Sequence, residues 1–135
     1  MPHIENHLPP APEFSDLRLQ HLYEIGMTLP EAAFSQRGDH ADFRVRKKPF
    51  AYFLQDHHGD GITSVCCKAE MGENRDRARL EPARFYLPAY IARQGWFGLR
   101  LDRGEINWDE VKHLVLRSYC LAAPQKLVEL VQVAS

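Results

Sequence analysis

Between residues 42 and 46 apolar and charged positions alternate strictly, with Phe43 and Val45 set against Arg44 and Arg46. That period belongs to a strand with one buried face and one basic face. Lys47, Lys48 and Pro49 interrupt it, and residues 50–55 resume as a second strand, so the two read as a hairpin with a cationic tip. A turn over residues 56–61 leads into a third antiparallel strand at 62–68, rich in β-branched residues and cysteine. Upstream the period is helical. Phe14, Leu17, Leu22 and Ile25 share one stripe, widened by Leu19 and Tyr23, which predicts an amphipathic helix ending near Gly26. Pro30 is placed to open a further short helical turn, and residues 35–39 read as a loop.

In the second half, residues 69–80 read as a short solvated helix stopped by Pro82, residues 84–87 as a short extended piece, and 88–95 as a proline-started turn. Residues 96–101 are almost continuously apolar, as in a strand covered on both faces. Beyond a turn at Arg103 and Gly104 three local signals open a helix: Asn107 as the cap, Glu110 completing a capping box, and Ile106 stapling onto Val111. This helix, 108–121, places Trp108, Val111, Val115 and Tyr119 along one side. Pro124 begins a last helix expected to bury Leu127, Leu130 and Val131. The order N-terminal helix, antiparallel β-sheet, C-terminal helices predicts an α+β fold, as a single domain over residues 14–135. Residues 1–13, with four prolines, His3 and His7, are expected to form a loose tail.

At 135 residues the chain is long enough for one core without metal or disulfide support. No apolar run approaches the roughly 20 residues of a membrane helix, so a cytoplasmic monomer with no membrane association is expected. Cys66, Cys67 and Cys120 are odd in number, and two are adjacent on a strand, where they point to opposite faces. They read as free thiols, outside any zinc spacing. The net charge of -1 is not that of a dedicated nucleic-acid binder. The charge is uneven, however: residues 1–31 hold one arginine against five carboxylates, so any basic surface lies further on.

Four segments carry a family resemblance. They are Phe43-Arg44-Val45-Arg46-Lys47-Lys48-Pro49-Phe50-Ala51, Tyr86-Leu87-Pro88-Ala89-Tyr90-Ile91, Gly95-Trp96-Phe97-Gly98-Leu99-Arg100-Leu101, and Ser118-Tyr119 through Ala123-Pro124. In order and spacing they resemble the MmcQ/YjbR family of small bacterial proteins. The resemblance implies a CyaY-like, frataxin-type fold and the double-wing DNA binding predicted for that family. Two departures stand out: Lys47 occupies a place where a glycine often precedes the hairpin lysine, and Gln125 replaces a commonly basic residue after Pro124.

Two functional classes follow. The first is non-specific DNA binding, with phosphates held by Arg44, Arg46, Lys47 and Lys48 on the hairpin, aided by Arg75, Arg77, Arg79 or Arg84. The second is a non-catalytic module for an unidentified protein partner, using Tyr86, Tyr90 and Trp96 if they form an exposed patch. Packing of the C-terminal helix on the sheet is the structural reading of Trp96, Trp108 and Tyr119. Gly95 and Gly98 read as a turn and a close approach. Iron handling by analogy with frataxin folds lacks its acidic ridge, since Asp16, Glu24 and Glu31 are sparse. His40, His57, His58 and Asp60 could meet at hairpin ends, but turn histidines are usually solvated. No metal or other cofactor is expected. Neither a phosphate-cradling glycine motif nor a recognisable catalytic set is present, and Ser118 has no local base, so an enzyme is not expected.

Overall fold

The structure, a computed structural model, describes residues 12–134, with side chains to residue 132. His3, His7 and most of the expected tail lie outside the described residues. Helix α1 (Leu17–Gly26) is followed by strands β1 (Ala32–Arg37), β2 (His40–Val45), β3 (Lys48–Gln55) and β4 (Thr63–Lys68). Helix α2 (Glu73–Leu80), strands β5 (Phe85–Tyr86) and β6 (Trp96–Arg100), and helices α3 (Trp108–Ala122) and α4 (Gln125–Ala134) complete the chain. The strands form one antiparallel sheet in the order β1-β2-β3-β4-β6-β5. The molecule is α+β, with helices on one face of the sheet.

Pairing sorts the residues by face. Phe43 opposes Ala51, Ala51 opposes Cys67, and Cys67 opposes Phe97 on the face that meets the helices. There they join Leu19 and Leu22 of α1, Val111, Leu114, Val115 and Tyr119 of α3, and Leu127 of α4 in one core. On the other face Asp42 opposes Tyr52, Tyr52 opposes Cys66, and Cys66 opposes Gly98. That outer face carries a second, smaller cluster of Leu54, Cys66 and Trp96, with Tyr52 and Ile91 packed against it. A period-2 strand buried on both faces loses its polar alternation, and the burial of all four residues from Trp96 to Leu99 follows that rule.

Local expectations meet the structure with several corrections. Residues 32–37 are a strand rather than a helical turn and loop, because β1 pairs along its length with β2 and seats Phe34 among Phe14, Tyr23 and Phe43. Gly26 does end α1, but not as a left-handed cap. A side chain there would meet the Phe43 ring at 2.7 Å, so the glycine serves close approach of helix and sheet. Leu17 is largely exposed, since Asp16 caps the helix and turns its first residue outward. In α4 Leu127 and Val128 are buried while Leu130 is exposed. Helix α2 begins four residues later than expected, at Glu73, and its Asn74 is buried.

The β2–β3 register slips between Phe43 and Arg44, where Phe50 is the extra residue of a bulge. Ser118 resolves the disruption: its buried hydroxyl donates to the Phe50 carbonyl at 2.6 Å and accepts from the Lys68 amide at 2.8 Å. Tyr119, fully buried, donates to the Pro30 carbonyl at 2.7 Å. Both signature residues therefore tie α3 to the sheet and the segment before β1.

Candidate nucleic-acid interface

The hairpin joining β2 and β3 turns on two residues, Arg46 and Lys47, between the paired Val45 and Lys48. Both have positive φ, 50° and 70°, the geometry of a two-residue hairpin turn that ordinarily selects Asn-Gly. Arg44 braces this turn from the outer face, donating to the Lys47 carbonyl at 3.1 Å and to Asp42 Oδ2 at 3.1 Å. Arg46 lies in the turn and not on the strand, and it reaches across to Glu31, just before β1, which accepts two hydrogen bonds from it. The Arg46 guanidinium holds the Glu31 carboxyl below its ordinary range. Lys47 and Lys48 are exposed and have no carboxylate partner among the described residues.

The α2 cations are not part of this surface. Helix α2 packs against β5 and β6, beyond β4 from the hairpin. Arg77 is bound to Glu73 at 3.0 Å and lies over the Phe85 and Phe97 rings, which makes it an element of packing. Arg79 pairs with Asp76, and Arg84 bonds both Glu81 and Glu110. Arg75 is exposed and unpaired among the described residues.

Beside Arg44 on the outer face runs a groove of about 200 Å³ lined by Ser35, Arg37, His40, Asp42, Tyr52 and Leu54. Tyr52 is held against Trp96 with ring centroids 4.9 Å apart, and burial raises its phenol pKa. His40 donates from Nε2 to the Gln55 carbonyl at 3.0 Å. Asp42 gives Oδ2 to Arg44, while its shielded Oδ1 accepts from no group of the described residues.

The outer-face aromatics do not form one exposed patch. Trp96 is buried, and Tyr86 folds over Gly98, where a side chain would meet its ring at 2.2 Å, to bond Ser64 at 2.7 Å. In the segment from Tyr86 to Trp96, Tyr90 and neighbouring Leu87 are the large apolar side chains that stand exposed. Asn74 holds down the segment between β5 and β6, donating its amide hydrogens to the Ala92 and Trp96 carbonyls. His40, His57, His58 and Tyr90 form a row of ring contacts. Burial, then the neighbouring His58 and His40, hold the His57 imidazole below its ordinary value. No group of three or more His, Cys, Asp or Glu among the described residues is placed to hold a metal ion. No helix among them is long and apolar enough to cross a membrane.

A model of the YjbR family matches residues 27–121, well over half the chain. The chain belongs to the YjbR family. The match takes in all six strands of this YjbR domain and almost all of α3. No curated protein matches. A crystal structure of Deinococcus radiodurans protein DR2400, assigned to the domain family DUF419, has a similar fold. It shows a TM-score of 0.61 over 76% of each chain at 16% identity.

Sequence reasoning missed three residues: Glu31, which occupies Arg46, and Asp42, which holds Arg44, at the YjbR hairpin, and Asn74, which fixes the segment between β5 and β6. For Asp42 the signal was present, since it stands two residues before Arg44 in the same alternating row. Glu31 and Asn74 act on groups 15 or more residues away, and their neighbouring sequence does not announce those partners.

Proposed function

We propose that this YjbR domain binds nucleic acid non-specifically through the phosphate backbone, with the β2–β3 hairpin as the contact and no catalytic step. The observation that carries the reading is the pair Lys47 and Lys48, exposed cations without carboxylate partners beside arginines that are paired. A cation already matched to a carboxylate gains less from a phosphate than a free one does. Lys47 and Lys48 are therefore the main contacts, and Arg44 and Arg46 contribute only as far as they exchange Asp42 and Glu31 for phosphate. The turn holds these groups in one place, which limits the entropy lost on binding.

The interaction-module alternative would have Leu87 and Tyr90 as its exposed surface, with Trp96 buried, and it has correspondingly less support. The test is fluorescence anisotropy with labelled duplex DNA across a salt series. Two contacts give a slope of log K against log salt near about -1.8, and four give about -3.6. Replacing Lys47 and Lys48 together by Ala should remove about 1.8 of the slope with the fold unchanged. Binding absent at low salt, or a slope untouched by the double change, would remove the hairpin as the site.

A further inference from the structure

The groove beside the hairpin has features that phosphate binding does not use. We propose that it seats one unpaired base of a single-stranded nucleic acid whose phosphates lie on the hairpin, a reading that rests on the hairpin being a phosphate contact. At about 200 Å³ it is smaller than the roughly 300–1,000 Å³ of cofactor-sized pockets and suits a single planar ring system. Its lining includes the apolar Leu54 and the Tyr52 ring, which is in tilted contact with buried Trp96. A ring fixed in this way is a ready stacking surface, and stacking accepts any base because every base has a π-face.

Asp42 adds a polar preference. Arg44 takes its Oδ2, and Oδ1 is the one buried side-chain nitrogen or oxygen among the described residues with no hydrogen-bond partner. A hydrogen-bond donor pressed into the groove against Asp42 would supply the bond that Oδ1 lacks and leave the Arg44 pair on Oδ2 in place. The exocyclic amino group of cytosine, adenine or guanine is such a donor with two hydrogens, whereas thymine lacks that group and offers a single ring N3–H. Arg44 is the next outer-face residue along β2, about 7 Å from Asp42 along the strand. A base in the groove therefore has its own phosphate within reach of Arg44 and the turn. A duplex cannot use the groove, because its bases are stacked and paired.

The experiment is anisotropy at one low salt concentration with four probes of equal phosphate number: oligo(dC), oligo(rC), oligo(dT) and an abasic strand. Oligo(dC) should bind roughly 10-fold tighter than the abasic strand. Tyr52→Ala should abolish that difference and Tyr52→Phe should keep it. Equal affinity of oligo(dC) and oligo(rC) extends the site to RNA, whereas a large gap confines it to the better-bound sugar. Equal affinity for oligo(dC) and oligo(dT) would overturn the preference for an amino group given to Asp42. An abasic strand bound as tightly as oligo(dC) by the unmodified protein, with the salt slope intact, would overturn the base site and leave the hairpin reading standing. Failure of all four probes to bind would overturn both.

Discussion

Glu73, at the start of α2, accepts hydrogen bonds from both terminal nitrogens of Arg117 and from Arg77. The Arg117 bonds, against an opposing effect of burial and helped by Arg77, pull its pKa from 4.5 down to about 2. Because the folded value is depressed, the resulting stability is present above the unfolded carboxylate range and is lost as pH falls toward 2. Urea unfolding across that range should show Glu73→Gln less stable than the parent by about 1 kcal/mol near neutrality, after allowing for solvent screening. The two should converge near the acid limit. A constant gap down to that limit would separate the effect from ionisation. The same residue-scale view shows what was legible beforehand. The cations of the hairpin stand in plain succession, whereas the clamp of Glu31 on Arg46 depends on β1 pairing with β2, and that pairing was hidden.

At the scale of elements, the start of α3 was the most legible feature of the chain. Asn107 accepts from the Glu110 amide at 3.1 Å, as a cap should. Glu110, expected to close the capping box, instead bonds Arg84. Asn107→Ala should cost about 1 kcal/mol in denaturant unfolding. Double-mutant cycles should find Glu110 coupled to Arg84 by about 0.2–1 kcal/mol and uncoupled from the Asn107 side chain. Coupling to Asn107 instead would restore the box. Strand β1 was illegible for an opposite reason. Its residues, Ala32 to Arg37, have no strong apolar period of their own, and the strand exists because β2 supplies its hydrogen bonds and Phe34 finds an aromatic socket.

For the molecule as a whole, the α+β class and most of the element order followed from periodicity, while the second, outer cluster did not. A sheet face reads as solvated or covered only once the connections are known, and here the segment between β5 and β6 folds back over the sheet to cover Cys66 and Trp96. All three cysteines are free, Cys66 and Cys67 fully buried and Cys120 half-buried. Burial pushes the Cys66 thiol up to about 12 and raises that of Cys67 further. Alkylation of the native protein followed by mass spectrometry should modify Cys120 first, with Cys66 and Cys67 reacting together only as the molecule unfolds. Early modification of Cys66 alone would mean that the outer cover opens independently of the core.

The left-handed turn at Arg46 and Lys47 sets two demands against each other. Holding two non-glycine residues in that conformation costs roughly 1–2 kcal/mol each. An Asn-Gly pair would relieve the cost and make the sheet sturdier, but it would also remove two of the hairpin's cations and leave Lys48 as its exposed lysine. Ruggedness and charge therefore compete for the same two positions, and a variant selected for heat resistance alone would be drawn toward a less charged hairpin.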